Sequence, residues 1–127
     1  MAIPSGSGTE VLKRTFIHAQ SNTATSFRWD GTMATTGTST YTVPANHIIT
    51  VLNISFNEQG NAAEIIDIMV NDGTNNIYLL QYQPLPAYST FVWNDKIVLT
   101  GGDKLIIKTD SAANVDAFCS YIDQDWS

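Results

Sequence analysis

The stretch Ile48–Phe56, IITVLNISF, decides the fold. It is the longest apolar run in the chain, and β-branched residues dominate it. Two heavy atoms on Cβ cost rotamer freedom in a helix and pack well on a pleated surface. The run is also far shorter than the ~20 residues a membrane span requires. At a period of two, Ile48, Thr50, Leu52, Ile54 and Phe56 share one side, and Ile49, Val51, Asn53 and Ser55 share the other. Its first half is apolar on both faces and only its second half is two-sided. That predicts a central strand of a β-sandwich whose far end reaches the rim.

Working outward toward the N-terminus, Pro44 precedes this strand, and Tyr41–Val43 is expected to enter the sheet before it. Thr32–Thr40 is a Thr/Gly-rich stretch expected to be a surface loop. Ser26–Trp29 is a short strand closed by the turn pair Asp30–Gly31. In Thr9–Ala19, Val11, Thr15 and Ile17 alternate with Leu12, Phe16 and His18, as in a strand. Met1–Gly8 is rich in Pro, Gly and Ser and reads as a flexible N-terminal arm, leaving 9–127 as the folded domain.

Toward the C-terminus, Glu64–Val70 and Asn76–Gln83 flank Asn71–Asp72–Gly73–Thr74–Asn75, a hairpin signal in which Asp-Gly supplies the positive φ of the turn. Pro84–Leu85–Pro86–Ala87 is expected to end the second of these strands. Short strands follow at Ser89–Trp93, Lys96–Leu99 and Lys104–Thr109, the last placing Leu105 and Ile107 on one face. The final strand runs from Asn114 to Ile122, with Val115, Ala117, Cys119 and Tyr121 facing together, before an acidic tail that ends near Trp126. Eight to ten short strands, turn signals between them and no helical period make this an all-β chain, an antiparallel β-sandwich or jelly roll.

Composition narrows the function. The 127 residues fit one domain and bury enough surface to fold without a metal or disulfide. Asp, Glu, Lys and Arg make up only 14% of the chain, against a typical ~25%. Such a surface offers little charge repulsion between copies, which favours self-association or docking on a large neutral partner. The net charge of −6 and a single adjacent basic pair, Lys13–Arg14, argue against binding to a phosphate backbone. One cysteine forms no internal disulfide, and the N-terminus carries neither the basic start nor the apolar stretch of a signal peptide. A chain made in a cytoplasm is expected.

No motif carries bond-making chemistry. His18 and His47, the only histidines, lack partners at metal-ligand spacing. Cys119 reads as a small core residue, and the NDGTNN stretch lacks the acidic residue that would close a calcium loop. Asn53–Ile54–Ser55 matches the glycosylation pattern but lies within a strand. The expectation is no enzyme, no metal and no cofactor. Of the aromatics, Phe27, Trp29, Phe91 and Trp93 read first as core or rim residues. The alternative is a glycan-stacking platform of Trp29, Trp93 and Tyr88. Trp126, in the acidic tail, is expected to pack on a neighbouring subunit together with Tyr121.

From Tyr41 to Asp123 the pattern YTVPANHIITVLNISF, then NDGTNN, PLPAYSTFVW, GGDKLIIKTD and a Ser-Tyr final strand, resembles small virion structural proteins of tailed bacteriophages. That resemblance implies a place in a virion and, more finely, a capsid decoration or cement protein. The partners it implies are further copies of the chain, a trimer being expected, and a major capsid protein, with no nucleic acid or membrane. In that setting Ile3, Pro4 and Ser5 of the arm, followed by Lys13 and Arg14, are the expected docking residues. A tail, neck or fibre-associated component and a carbohydrate-binding module are the alternatives.

Overall fold

A computed structural model of the chain describes residues 9–20, 22–110 and 114–126. Ten strands form two sheets and the described residues include no helix: β1 (Thr9–Gln20), β2 (Thr25–Ser26), β3 (Met33–Ala34), β4 (His47–Glu58), β5 (Glu64–Asn71), β6 (Asn76–Leu85), β7 (Thr90–Trp93), β8 (Ile97–Thr100), β9 (Lys104–Thr109) and β10 (Val115–Asp125). One sheet has the order β3-β1-β10-β4-β7, with β8 also on β4, and the other has the order β2-β9-β5-β6. The pairing is nested: β1 with β10, β2 with β9, β4 with β7 and β8, β5 with β6. A long hairpin folded across two sheets gives this order, and it is the jelly-roll solution among β-sandwiches. Here β7 and β8 divide one strand position, and β3 is an addition, parallel to β1.

β4 is the central strand anticipated from IITVLNISF, but its facing differs. Ser120 pairs with Asn53 and Tyr121 with Val51, which leaves Leu52 as an extra residue, a β-bulge. The bulge shifts the alternation by one residue. Ile49 and Val51 before it, and Ile54 and Phe56 after it, all turn inward and are fully buried. A strict period of two placed these pairs on opposite faces. The partner strand, invisible to periodicity, accounts for the correction.

The interior is built from both sheets. β10 contributes Val115, Ala117, Cys119 and Tyr121, as their alternation predicted, and β9 contributes Leu105 and Ile107. Trp29 meets Tyr121 edge-on at 4.9 Å between ring centres, and Phe27 lies 6.3 Å from Trp29. The Tyr121 hydroxyl accepts the Gly31 N–H at 3.1 Å. Burial pushes the Tyr121 phenol up to about 12 against that hydrogen bond, with the nearby Asp123 charge adding to the shift. Burial likewise holds the Cys119 thiol well above the usual thiol range.

Local deviations from the expected strands have physical causes. Beyond Ser26 the chain leaves the ladder, although the Phe27 N–H still donates to the Leu105 carbonyl at 3.0 Å. Tyr41–Val43 forms no strand, yet Val43 donates to Asp103 O and accepts from Gly102 N. The Thr32–Thr40 loop contains β3. Pro84 does not end β6 but pairs with Ile65. Since β6 is an edge strand, a missing N–H on its open side removes no ladder bond. The β5–β6 hairpin turns where expected: Gly73 has φ +102°, and the Asp72 carboxylate accepts the N–H groups of Thr74 and Asn75. Those two bonds hold the Asp72 carboxyl below its ordinary range.

Candidate functional site

The outer face of the six-stranded sheet is where the molecule departs most from an ordinary surface. β1 turns Leu12, Arg14 and Phe16 outward, and β10 turns Phe118, Ser120 and Ile122 outward, while Thr15, Ile17, Ala117, Cys119 and Tyr121 fill the interior. Register aligns these residues in cross-strand rows. Leu12, Ile122, Thr50 and Val98 form one row, and Phe16, Phe118, Ser55 and Val92 form another. Between them runs the polar row Arg14, Ser120 and Asn53. Leu12 is 71% exposed and Val98 64%.

Next to the second row lies a depression of about 470 Å³ lined by Phe16, Met33 and Phe118, with His18, Asn57 and Asp116 at its polar end. The Phe16 and Phe118 rings stack nearly parallel, 6.0 Å apart. Arg14 folds over the Phe16 ring at 5.1 Å and donates to the Gly31 carbonyl, which ties it toward the β3 edge. At the far end Asp116 accepts the Ala19 N–H at 2.9 Å, faces His18 Nδ1 at 2.9 Å and receives Gln59 Nε2. The Ala19 bond is structural. Ala19 sits in a bulge of β1 with φ 53°, and a carboxylate from the adjacent strand captures the N–H that the ladder loses. Asp67 does the same for Tyr82, φ 57°, in β6.

A second polar group closes the opposite end of the sandwich. The buried Asp123 carboxylate receives Lys13 Nζ at 3.0 Å and faces His47 Nδ1 at 2.7 Å, while His47 Nε2 lies 3.5 Å from Asp125. Among the described residues no cluster of three or more His, Cys, Asp or Glu is placed to hold a metal ion. None of their elements is a helix long and apolar enough to cross a membrane.

The residues singled out from sequence disperse. Tyr121 is fully buried, so it is a core residue and not part of a subunit interface. Trp126 follows β10, half-buried, with its backbone N–H donated to Asn46 O at 2.9 Å. Trp29 is 5% exposed inside the core and Trp93 packs against that core, while Tyr88 stands exposed in the turn before β7. The three make no common stacking platform, because Trp29 presents no face to solvent. Lys13 is engaged by Asp123 and Arg14 by Gly31, so both basic groups already have partners within the chain. Ile3, Pro4 and Ser5 lie outside the described residues. The outer rows were readable in part. Leu12, Phe16 and His18 share a face in the sequence pattern, but only the β1–β10 register joins them to Phe118 and Ile122.

No protein-family model and no curated protein sequence matches the chain. Solved structures do. A chain from the acid-stable capsid of Helicobacter pylori bacteriophage KHP30 is 12% identical, covers 96% of this chain and 92% of its own length, and superposes with a TM-score of 0.53. A chain from the Bacillus endospore appendages, described as disulfide-linked pili, is 13% identical with coverage of 100% and 97% and the same TM-score of 0.53. A chain from infectious bursal disease virus, strain Gx, is 15% identical with a TM-score of 0.50; the match covers 98% of this chain and 35% of that one. At such identities the likeness establishes a shared β-sandwich fold.

Proposed function

We propose that the chain is a bacteriophage virion structural protein, a decoration protein that binds the outer shell as a homo-oligomer and stabilises it. The carrying observation is a jelly roll with a charge-poor apolar sheet face that no other described element covers, in a fold shared along nearly the full length of a phage capsid chain. A subunit that binds only the assembled shell stabilises that state by mass action, and repeated weak contacts reinforce one another through effective concentration. The role is adhesive and no bond-making step belongs to it. The N-terminal residues 1–8 serve as the arm that engages the shell.

A pilus subunit is a second reading, and its one specific support is the equal TM-score to the endospore appendage chain. A disulfide route between subunits is closed to Cys119, which is fully buried in the core. Gold-labelled antibody against the chain, applied to intact particles, tests the decoration reading. Label over the head is expected. Label confined to the tail or neck overturns decoration, and no label on any particle overturns the virion assignment. Deleting residues 1–8 is expected to abolish shell binding while leaving the domain folded.

A further inference from the structure

We infer that the outer face of the six-stranded sheet is a self-complementary surface that pairs with the same face of a second copy about a two-fold axis. The axis lies in the interface along the polar row Arg14, Ser120 and Asn53. This inference deepens the assembly reading by naming the surface and its partner.

The row spacing carries the geometry. On β1 Leu12 and Phe16 are two positions either side of Arg14, and on β10 Ile122 and Phe118 are two positions either side of Ser120. At ~3.4 Å per residue the two apolar rows stand about 14 Å apart. A two-fold rotation about the middle row reverses the strand direction and keeps each strand opposite its own copy. It therefore places Leu12 of one copy over Phe16 of the other, Ile122 over Phe118, and Val98 over Val92. The rows differ in relief in the way this exchange requires. Leu12 stands out at 71% exposure, and the Phe16–Met33–Phe118 depression of about 470 Å³ is the recess it enters. A patch that receives its own projection is the isologous arrangement of two-fold dimers.

Area points to the same occupant. The side chains of Leu12, Met33, Val92, Val98 and Phe118 are 42–71% exposed. Together they leave roughly 450 Å² of apolar surface, close to the non-polar share of one side of a standard interface. The same rotation sets Glu10 of one copy over His18 of the other. The two Arg14 guanidinium groups approach near the axis, but each is already held to a Gly31 carbonyl and turned toward the β3 edge. Two faces of twisted sheet pack within ~30° of alignment, so the rows stay in reach across the interface. The outcome is a closed pair, where the sequence led to an expected trimer.

The test uses the full chain. Sedimentation equilibrium at micromolar concentration is expected to give twice the monomer mass. Leu12→Asp and Val98→Asp are each expected to weaken the pair at least ~100-fold, while Ile77→Asp on β6 leaves it intact. Cross-linking covers the case in which an aspartate variant fails to fold. Leu12→Cys mixed with Phe16→Cys is expected to link through a short bis-maleimide faster than either variant alone. A chain that stays monomeric, with the face covered by residues 1–8 or awaiting a shell protein, overturns the inference. So does faster linking of Leu12→Cys to itself. A monomeric chain that nonetheless labels the particle head overturns the pairing and leaves the decoration reading standing.

Discussion

The two faces of the six-stranded sheet use similar residues for opposite ends. Its inner face carries Ile49, Val51, Ile54, Phe56 and Tyr121 at 0% exposure, and its outer face carries Leu12, Val98 and Phe118 at 42–71%. Both are apolar, yet only the inner one meets a second sheet of the same chain. Apolar character in a strand thus reports that a face will be covered, without saying by what. On the inner face the cover is intramolecular and close-packed, so each atom counts toward stability. On the outer face of a dilute single chain truncation loses little, and the larger cost appears in association.

The sharpest way to break this comparison is a matched pair of phenylalanines. Phe56→Ala is expected to cost about 3–5 kcal/mol of folding stability, through lost transfer energy and a cavity. Phe118→Ala, measured below any association threshold, is expected to cost under ~1 kcal/mol. Chemical denaturation reads both, and equal losses would remove the distinction. Asp123→Ala follows, leaving Lys13 and His47 without their buried carboxylate at the end of the sandwich. Breaking a fully buried pair costs about 3–5 kcal/mol, and the partial exposure of Lys13 lowers the expectation to about 2 kcal/mol.

Tyr121→Phe comes next, at about 1 kcal/mol near neutral pH, because the Gly31 N–H loses its acceptor. It also has a pH signature. The folded phenol ionises near 12 against an ordinary value of 10, so above pH 10 the unfolded chain releases a proton that the folded chain keeps. Stability is therefore full below pH 10 and falls as pH rises toward 12. Tyr121→Phe is expected to flatten that part of the curve. The smallest effect sharpens the inner side alone. Cys119, buried and held protonated, is expected to resist thiol reagents in the folded chain and to react fully in denaturant.

Local signals in the sequence were strong where one strand's pattern sufficed. The β9 boundaries, the Asp72–Gly73 hairpin and the shared facing of Val115, Ala117, Cys119 and Tyr121 all follow from residues close in the chain. The misreadings share one cause, a dependence on a distant partner. Leu52 is a bulge only because Ser120 and Tyr121 lie opposite Asn53 and Val51. Pro84 is tolerated only because β6 has an open side. Tyr121, expected at a subunit interface, is interior because its ring meets Trp29 edge-on and its hydroxyl accepts the Gly31 N–H. The outer rows needed the β1–β10 register before single exposed residues became a surface.

The position of β10 between β1 and β4 has a temporal consequence. Until the last strand has been synthesised, the larger sheet has a gap at its middle and neither the rows nor the recess exists. A chain whose β10 has not yet docked thus lacks the face that the proposed pairing uses. In the proposed pairing, copies become competent to join only once β10 is in place, so the order of the strands delays premature association.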